Sequence, residues 1–443
     1  MPVDLSAAGP RVALPKRRLR LLPCLFGWIL CCGVGAAAVL LLWPRNIPTH
    51  GAWFWICLLG SPNVVFIGAL IVVRIVYEAD YLYAVFRNRH RTAWLLSRIR
   101  MAQRPLQILG AGYCFPLEGK SVSEILAART PLLEARVPRN GTERIQHTRF
   151  ADDDPLFSDY SDEAVHMERE PEHWLDAGSL EDMSVVDAMM QPEALVIARA
   201  LSPLVESARA LSQYGPEYAP AVRVLTAPGK GDVWIDHVRQ ALVRAGLAGL
   251  NCEPVQATDG LMPVDSWLDA GEQRPLLIVA AELHDAPPPG STEGAVALLL
   301  GTGAFQLAEP VKEQALLHRP VADEFDHLGA VLANGVLWGN TDPTRVGTAW
   351  ISGLGAAHDT RLLAALRSAG MPELANEDAQ RRPDRFIGHA GIAGGWLSIA
   401  AALETGGAHL ILHAPSSVST VQVVILHVND QVNQKELHDE RTH

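Results

Sequence analysis

The chain is poor in cysteine, with 6 among 443 residues. Four of the six fall within two long apolar runs near the N-terminus, at Cys24, Cys31, Cys32 and Cys57. The remaining two, Cys114 and Cys252, are too far apart in the sequence to suggest a disulfide framework or the paired spacing of a metal site. The sequence therefore predicts a reducing compartment, no disulfide scaffold and no metal.

Common catalytic signatures are missing as well. The segment Gly229-Lys230-Gly231-Asp232 lacks the upstream glycine spacing and the following Ser/Thr of a P-loop. There is no HExxH zinc motif and no GxSxG nucleophile elbow. The isolated Gly301-Thr302-Gly303 is typical of a tight turn. These absences predict that the chain binds no cofactor.

No basic patch persists beyond the juxtamembrane segment, and the formal net charge is −12. A nucleic-acid partner is therefore not expected. Acidic residues are densest in the segment 149–174, which also contains prolines. Two interpretations stay open for this segment: a solvated loop, or an acidic docking surface for a basic partner. On the second interpretation the contact residues are Asp152, Asp153, Asp154, Asp159, Asp162 and Glu163.

The two apolar runs, 21–43 and 52–73, contain no charged residue. Each is long enough for a helix to cross a hydrocarbon layer of about 30 Å. Because only the short segment 44–51 joins them, they predict a membrane hairpin that leaves both ends of the chain on one side. A signal peptide followed by a buried helix, or two core helices, are the alternatives. The sequence lacks a clear small-residue cleavage site, which disfavours the signal peptide.

Arginine and lysine flank the hairpin on both outer sides, whereas the connecting loop carries Arg45 alone. By the positive-inside rule, the tail 1–20 and everything after the hairpin are predicted to be cytoplasmic. The segment 74–105 reads as a basic juxtamembrane helix. It is predicted either to contact anionic headgroups or to act as a solvated connector.

From residue 106 the pattern alternates between short apolar runs and amphipathic stretches. Strands are predicted at 106–117, 221–226, 275–282, 295–300, 409–413 and 420–428, and helices at 120–129, 194–214, 234–248, 360–369 and 394–404. Such alternation is typical of a layered α/β domain with buried strands. The domain is predicted to span 106–428, with a polar tail at 429–443.

Four segments in register resemble β-ketoacyl synthases. They are the opening strand, turn and helix at 107–128, STEGAVALLL at 291–300, ISGLGAAHDTRLLAAL at 351–366, and FIGHAGIAGGWLSIAA at 386–401. The resemblance implies a thiolase-like fold, in which two similar halves pack as an α/β/α/β/α sandwich.

The same resemblance implies a catalytic set that this chain keeps only in part. A condensing enzyme uses a thiolate at a helix N-terminus as its nucleophile. In the family that cysteine falls about one helix length before the turn at Gly271-Glu272. The nearest cysteine is Cys252, which is followed by Glu253 and Pro254 instead of small residues.

The family also uses two histidines to stabilise the oxyanion of the thioester. His389 matches the second histidine, although a core histidine is an alternative interpretation of this residue. The first position offers Ser352 or Ile351, and Asp384 replaces the family's lysine. Because losing one member of a cooperating set removes most of the rate, the chain is predicted to be non-catalytic. If it were an enzyme, its catalytic residues would be Cys252, His389 and His358.

The hairpin, the segment 89–150 and the overall layout resemble the type VI lipase adaptor family of Gram-negative bacteria. The resemblance implies an inner-membrane adaptor that binds a lipase effector in the cytoplasm and delivers it to the secretion spike protein. A homodimer is a further expectation from the thiolase-like fold. The alternatives are a membrane-tethered β-ketoacyl synthase-like acyl-transfer enzyme, and a structural partner that acts through its spans.

Overall fold

A computed structural model describes residues 5–15, 21–44, 46–49, 51–140, 142–151, 154, 156, 190–227, 229–284, 286–303, 307, 309, 311–415 and 419–429. The chain divides into two compact units, one formed by Asp4–Arg100 and the other mainly by Met101–His443. Of the six acidic residues predicted to bind a partner, only Asp154 falls within the described residues.

Both apolar runs of the first unit are helical. The elements are α1 at Leu21–Leu42, α2 at Ala52–Trp55, a π-helical turn at Ile56–Gly60, and α3 at Ser61–Ala102. Among the described residues, two helices are long and apolar enough to cross a membrane, and only 0% and 6% of their most apolar windows are buried. This exposure argues against core helices of a soluble domain, because such helices are hydrophobic on faces that the protein itself covers.

Close contacts join the two apolar helices of this unit. The indole Nε1 of Trp28 donates a hydrogen bond to Oδ1 of Asn63 at 2.9 Å. A Cβ atom on Gly35 would lie 2.6 Å from the ring of Pro62, so α1 approaches α3 closely only because this residue is glycine. Small residues at such crossings are typical of helices that pack within a membrane.

The second apolar helix continues without a break through the basic segment, so the predicted boundary at residue 74 is not a structural one. The N-terminal segment lies along the distal part of α3. The Asn88 side chain bonds both the N–H and the carbonyl of Val12, at 2.9 and 2.8 Å, and Nε of Arg91 donates to the carbonyl of Gly9 at 2.8 Å. The tail that precedes α1 and the distal part of α3 therefore lie on the same side of the two apolar helices.

The second unit is built on one large mixed sheet. Its strands are β1 Leu106–Cys114, β4 Ala221–Thr226, β5 Cys252–Gln256, β6 Leu276–Glu282, β8 Gly294–Gly301, β9 Ala315–Leu317, β10 Val321–Glu324, β11 Thr348–Ser352, β12 Gln380–Arg381, β13 Gly407–His413 and β14 Thr420–Val428. A smaller sheet contains β2 Glu134–Arg136, β3 Ile145–Thr148 and β7 Ser291–Thr292. The order across the large sheet is β12-β11-β13-β14-β9-β1-β8-β6-β4-β5, with β10 paired to β14.

The helices of this unit cover the sheet on several sides. They are α4 Val122–Ala128, α5 Pro192–Leu201, α6 Val205–Ser212, α7 Gly231–Arg244, α8 Pro263–Ala270, α9 Leu328–Trp338, α10 Asp359–Ser368 and α11 Gly394–Ala402. The single helix predicted at 194–214 is two helices, α5 and α6. The turn between them contains Pro203, which cannot donate the hydrogen bond that a continuous helix needs.

The large sheet and its helices repeat one topology twice. The first half runs β4-α7-β5-α8-β6-β8, and the second runs β11-α10-β12-α11-β13-β14. In each half three strands are parallel and the last is antiparallel, in the orders β5-β4-β6-β8 and β12-β11-β13-β14. By this equivalence α8 of the first half corresponds to α11 of the second.

Alternate side chains of the strands point into different layers. Leu277 and Val279 of β6 pack with α5, α6 and α7 on the outer face of the first half. Ile278 on the opposite face packs with α8 and α11, and Trp350 of β11 reaches the same central cluster from the second half. Helix α9 covers the outer face of β14. The result is an α/β/α/β/α sandwich with α8 and α11 in its middle layer, as the sequence predicts.

Candidate functional site at the start of helix α11

A tight backbone turn presents His389 just before α11. Gly388 has φ +97°, and a Cβ there would lie 2.8 Å from the carbonyl oxygen of Ser291, so only glycine fits. The N–H of His389 donates to the carbonyl of Gly290 at 2.7 Å, and its own carbonyl accepts from Thr292 N–H at 3.1 Å. The backbone of His389 is therefore fixed on both sides.

The imidazole ring of His389 is exposed, so the alternative interpretation as a core histidine is wrong. Its Nδ1 accepts a hydrogen bond from the N–H of Gly391 at 2.9 Å. Because Nδ1 is the acceptor, the neutral ring carries its proton on Nε2. That N–H is free to donate to a carbonyl or anionic oxygen of a bound molecule.

A buried serine–histidine pair lies behind this ring. Oγ of Ser352, at the end of β11, is 2.9 Å from Nδ1 of His413, at the end of the neighbouring parallel strand β13. Burial, followed by the charge of the nearby His389, lowers the pKa of His413 to about 3. The imidazole of His413 is therefore neutral at physiological pH, and the pair has almost no access to solvent.

Asp384 is the carboxyl group of the site. Its Oδ2 accepts a hydrogen bond from the N–H of Gly353 at 2.6 Å, and its side chain is half-buried. Burial raises the pKa of Asp384, while the nearby charge of His389 and the bond from Gly353 act in the opposite direction. By the sequence resemblance this is the position of the family's lysine, and this chain has a carboxyl group there.

Each half of the domain hydrogen-bonds to the turn that precedes the central helix of the other half. Oε2 of Glu282, at the end of β6, accepts from the N–H of Ile392 at 3.0 Å, just before α11. In the reverse direction, Gln422 of β14 accepts from the N–H of Leu261 at 2.6 Å and donates to the carbonyl of Asp259 at 2.9 Å. The Gln422 carboxamide thus fills the turn that leads into α8.

The structure does not bring Cys252 to this site. Cys252 is the first residue of the edge strand β5, where its sulfur lies 3.6 Å from the carbonyl of Leu250. Cys114, the other cysteine of this unit, ends β1, and burial raises the pKa of its thiol to about 12. Both cysteines belong to the outer core cluster with α5, α6 and α7. The sheet therefore separates both thiols from the central layer that contains α11.

The position expected for the nucleophile, one helix length before Gly271, is the start of α8. The residues there are Gly260, Leu261 and Met262, which offer no thiol or hydroxyl. A Cβ on Gly260 would lie 2.4 Å from the Gln422 carboxamide, so the space in front of α8 is already filled.

His358 also lies apart from His389 in the described contacts. It ends a 3₁₀ turn before α10, and its ring packs edge-on against Phe325 with 4.9 Å between the ring centres. The structure thus groups His389 with Ser352, His413, Asp384 and Glu282. Sequence reasoning named His413 and Gln422 nowhere. The available signal was that Ser352 and His413 each end a strand, because the carboxyl ends of parallel strands meet at one edge of a sheet.

We expect the substitution Gln422→Leu to lower the free energy of unfolding by about 1–3 kcal/mol, because it leaves the Leu261 N–H and the Asp259 carbonyl unpaired. Urea denaturation monitored by tryptophan fluorescence measures the change. The matched control is Gln240→Leu on the exposed face of α7, which should change stability by less than about 0.5 kcal/mol. Equal effects of the two substitutions would contradict a stabilising role for the hydrogen bonds of Gln422.

Comparison with known proteins defines the class of this domain by its fold. No family model matches the chain, and no curated protein matches it. Solved structures do match. One is the module 6 ketosynthase of the bacillaene synthase from Bacillus subtilis, with 12% identity, coverage of 74% of this chain and 71% of that chain, and a TM-score of 0.52. Another is an oxazolomycin ketosynthase domain from Streptomyces albus, with 10% identity, 74% coverage of both chains and a TM-score of 0.51.

These similarities confirm the predicted thiolase-like, ketosynthase-type fold. At such low identity they establish the fold alone. The chemistry of the chain must therefore be argued from its own side chains.

Proposed function

We propose that the chain is a non-catalytic, membrane-anchored adaptor that uses a ketosynthase-like domain as a binding scaffold. The observation that carries this proposal is the position of the thiols. Both cysteines of the domain pack on the outer face of the sheet, whereas His389 lies at the start of the central helix α11. A thiol on the far side of a sheet cannot attack a carbonyl held by His389.

The electrostatics of the thiols point in the same direction. A nucleophilic cysteine needs a lowered pKa, which a helix N-terminus or a nearby cation provides. In this chain burial raises the pKa of both Cys114 and Cys252. In the middle layer, the turn that leads into α8 is occupied by the Gln422 side chain instead. These groups suit a folded scaffold better than a condensing enzyme.

Anchoring through α1 and the proximal part of α3 is the second element of the proposal. Their side chains are apolar and almost entirely exposed, as expected for helices in hydrocarbon. The basic residues on both flanks favour a cytoplasmic position for the tail and the ketosynthase-like domain, at the inner membrane of a Gram-negative bacterium.

The proposed partner is a lipase effector that the adaptor delivers to a type VI secretion spike protein. Its support is the resemblance of the hairpin, the segment 89–150 and the overall layout to type VI lipase adaptors. The acidic residues between Asp152 and Glu163 are the proposed contact region. They lie mostly outside the described residues, so this part of the proposal rests on the sequence.

The test is affinity capture of the tagged full-length chain, expressed with its neighbouring genes and analysed by mass spectrometry. We expect near-stoichiometric recovery of a lipase-like effector or a spike protein. Capture should survive Cys252→Ala, since the sulfur has no role in binding, and should survive deletion of residues 1–77. Loss of capture on that deletion would favour a structural role exerted through the spans.

An acyl-thioester or cerulenin-type probe tests the enzymatic alternative on the same preparation. Stoichiometric labelling of Cys252, absent in Cys252→Ala, would overturn the non-catalytic assignment. Recovery of acyl carrier protein in place of an effector would do the same.

A further inference from the structure

Helix α3 carries an exposed apolar stripe that continues past residue 73, where the apolar run ends. Ile75, Leu82, Phe86 and Leu96 are 60%, 49%, 62% and 47% exposed. Large apolar side chains that line up outside hydrocarbon are uncommon on soluble surfaces and mark contacts with another molecule.

The stripe has the spacing of a coiled coil. Positions 75, 82, 89 and 96 form one heptad series, and positions 79, 86, 93 and 100 form a second series, four residues later. Six of these eight positions are apolar, and the two exceptions are Arg89 and Arg100. Alternating steps of four and three residues place such side chains along one seam of a helix.

The opposite face of α3 already has a partner. Asn88 and Arg91 bond the N-terminal segment, and Ala84 on the same face is buried. At 3.6 residues per turn, these residues lie about half a turn away from Leu82 and Phe86. Within the described residues of this unit, the contacts of α3 with the N-terminal segment therefore lie on the face away from the stripe.

We propose that this stripe binds the same stripe of a second copy of the chain, as a parallel pair of α3 helices. The inference rests on the proposed membrane anchoring. Because two anchored copies cross one membrane in the same sense, their α3 helices leave it side by side and point the same way. The heptad spacing then brings Leu82 and Phe86 of one copy against those of the other. The like charges of Arg89 and Arg100 keep the association moderate.

A membrane surface fits the stripe less well than a second copy of the chain does. Helix α3 is unbroken from Ser61 to Ala102. Residues 75–100 therefore extend about 38 Å along the axis of the apolar part, at 1.5 Å per residue, and cannot lie flat on headgroups.

Edge-to-edge pairing of the sheets is a poorer route to a dimer. The N–H of Val222 donates to the carbonyl of Asn251 at 2.9 Å, which turns the backbone of Glu253 toward β4 and that of Pro254 outward. Proline has no N–H, so the middle of the β5 edge cannot donate to a neighbouring strand. The stripe on α3 is the better candidate for a contact between copies.

Photo-crosslinking of the full-length chain in membranes tests the inference. The photoreactive residue p-benzoylphenylalanine replaces Phe86 on the stripe, or Tyr81 as the control. Both are exposed aromatic residues of α3, but Tyr81 points away from the stripe. We expect irradiation to give a product of twice the chain mass from position 86 and little from position 81. Adducts from position 86 to lipid or to another protein alone, or equal dimer yields from both positions, would overturn the proposal.

A charge substitution gives the second readout. Leu82→Glu should reduce the dimer product from position 86 about tenfold, which is the effect of ~1.4 kcal/mol. Arg87→Glu, off the stripe, should leave the yield unchanged. Effector capture is measured on the same membranes. If the effector is captured but no dimer product forms, the proposed pairing of α3 helices is refuted and the adaptor function is not. If the dimer product forms but no effector is captured, the adaptor function is refuted and the pairing is not.

Discussion

Replacing Arg319 by alanine is expected to lower the free energy of unfolding by about 3–5 kcal/mol, the cost of removing one partner from a buried ion pair. Arg319 follows β9 and is 1% exposed. Its Nη1 lies 2.5 Å from Oδ1 of Asp265 and 2.5 Å from Oδ1 of Asp269, both on α8. Without the guanidinium, Asp265 would keep a buried carboxylate with no cation beside it.

The pKa of Asp265 shows the balance at this ion pair. Burial raises it, the charge and hydrogen bond of Arg319 lower it, and the nearby charge of Asp269 raises it. The pKa is raised overall, so the arginine does not fully offset burial and the charge of Asp269 together. An alanine at position 319 removes the guanidinium that favours the charged form of Asp265. It also leaves a cavity between the segment after β9 and α8.

Urea denaturation of the wild type and of Arg319→Ala measures the loss. Arg345→Ala is the matched control, because Arg345 is exposed and its loss should cost less than about 0.5 kcal/mol. The double substitution Arg319→Met with Asp265→Leu should recover much of the stability, since apolar side chains of similar volume replace buried ion pairs well. A loss below about 1 kcal/mol for Arg319→Ala would contradict the assigned role.

Acid is expected to destabilise the ketosynthase-like domain through its buried histidines. Burial lowers the pKa of His318 and of His409 to about 4, and that of His413 to about 3. In the unfolded chain a histidine titrates near pH 6.5. As the pH falls below that value, these histidines bind protons in the unfolded state but not in the folded state. Stability is therefore full above about pH 6.5 and is lost as the pH falls toward 4.

Each of these histidines contributes a slope of about 1.4 kcal/mol per pH unit within that window. For His318 and His409 the integrated loss is about 3 kcal/mol each. Burial also raises the pKa of Asp265, Glu293 and Asp384, so the folded state binds protons there more readily. Protonation of these carboxyl groups therefore raises the free energy of unfolding as the pH falls. This offsets part of the loss that the histidines cause.

Urea denaturation of the wild type and of His318→Phe between about pH 7 and about pH 4.5 isolates the contribution of one histidine. Phenylalanine keeps the aromatic packing against His427, whose ring centre lies 4.9 Å away. We expect the free energy of unfolding to fall less on acidification in the variant than in the wild type. The difference should be close to about 1.4 kcal/mol per pH unit, the contribution of one histidine. Parallel pH profiles of the two proteins would show that His318 does not titrate on unfolding.

Local sequence signals predicted six of the eleven strands of the large sheet. The strands β4 and β14 have the predicted bounds, 221–226 and 420–428; β6 differs from prediction by one residue at its start, and β8 by one residue at each end. Buried strands are continuous apolar runs, so they are visible without a partner strand. The edge strand β5 was missed, because three of its five residues are exposed and Pro254 lies at its centre.

The candidate site depended much more on tertiary structure. His389 was visible from its Ile-Gly-His context, but its exposure was not, and the structure decided against a core histidine. Cys252 looked close to the nucleophile position along the chain. The structure places it on the outer face of the sheet, because the strand–turn–helix from β5 to α8 turns the chain between the two positions.

The sequence by itself determined the two apolar helices, the basic flanks and the layered α/β domain, because each depends on neighbouring residues and on a short period. Only the tertiary structure decided which polar groups meet. Ser352 and His413 are 61 positions apart, and Gln422 and Leu261 are 161 apart. Such pairs form because parallel strands end at one edge and because the two similar halves pack against each other. Neither relation leaves a periodic signal in the chain.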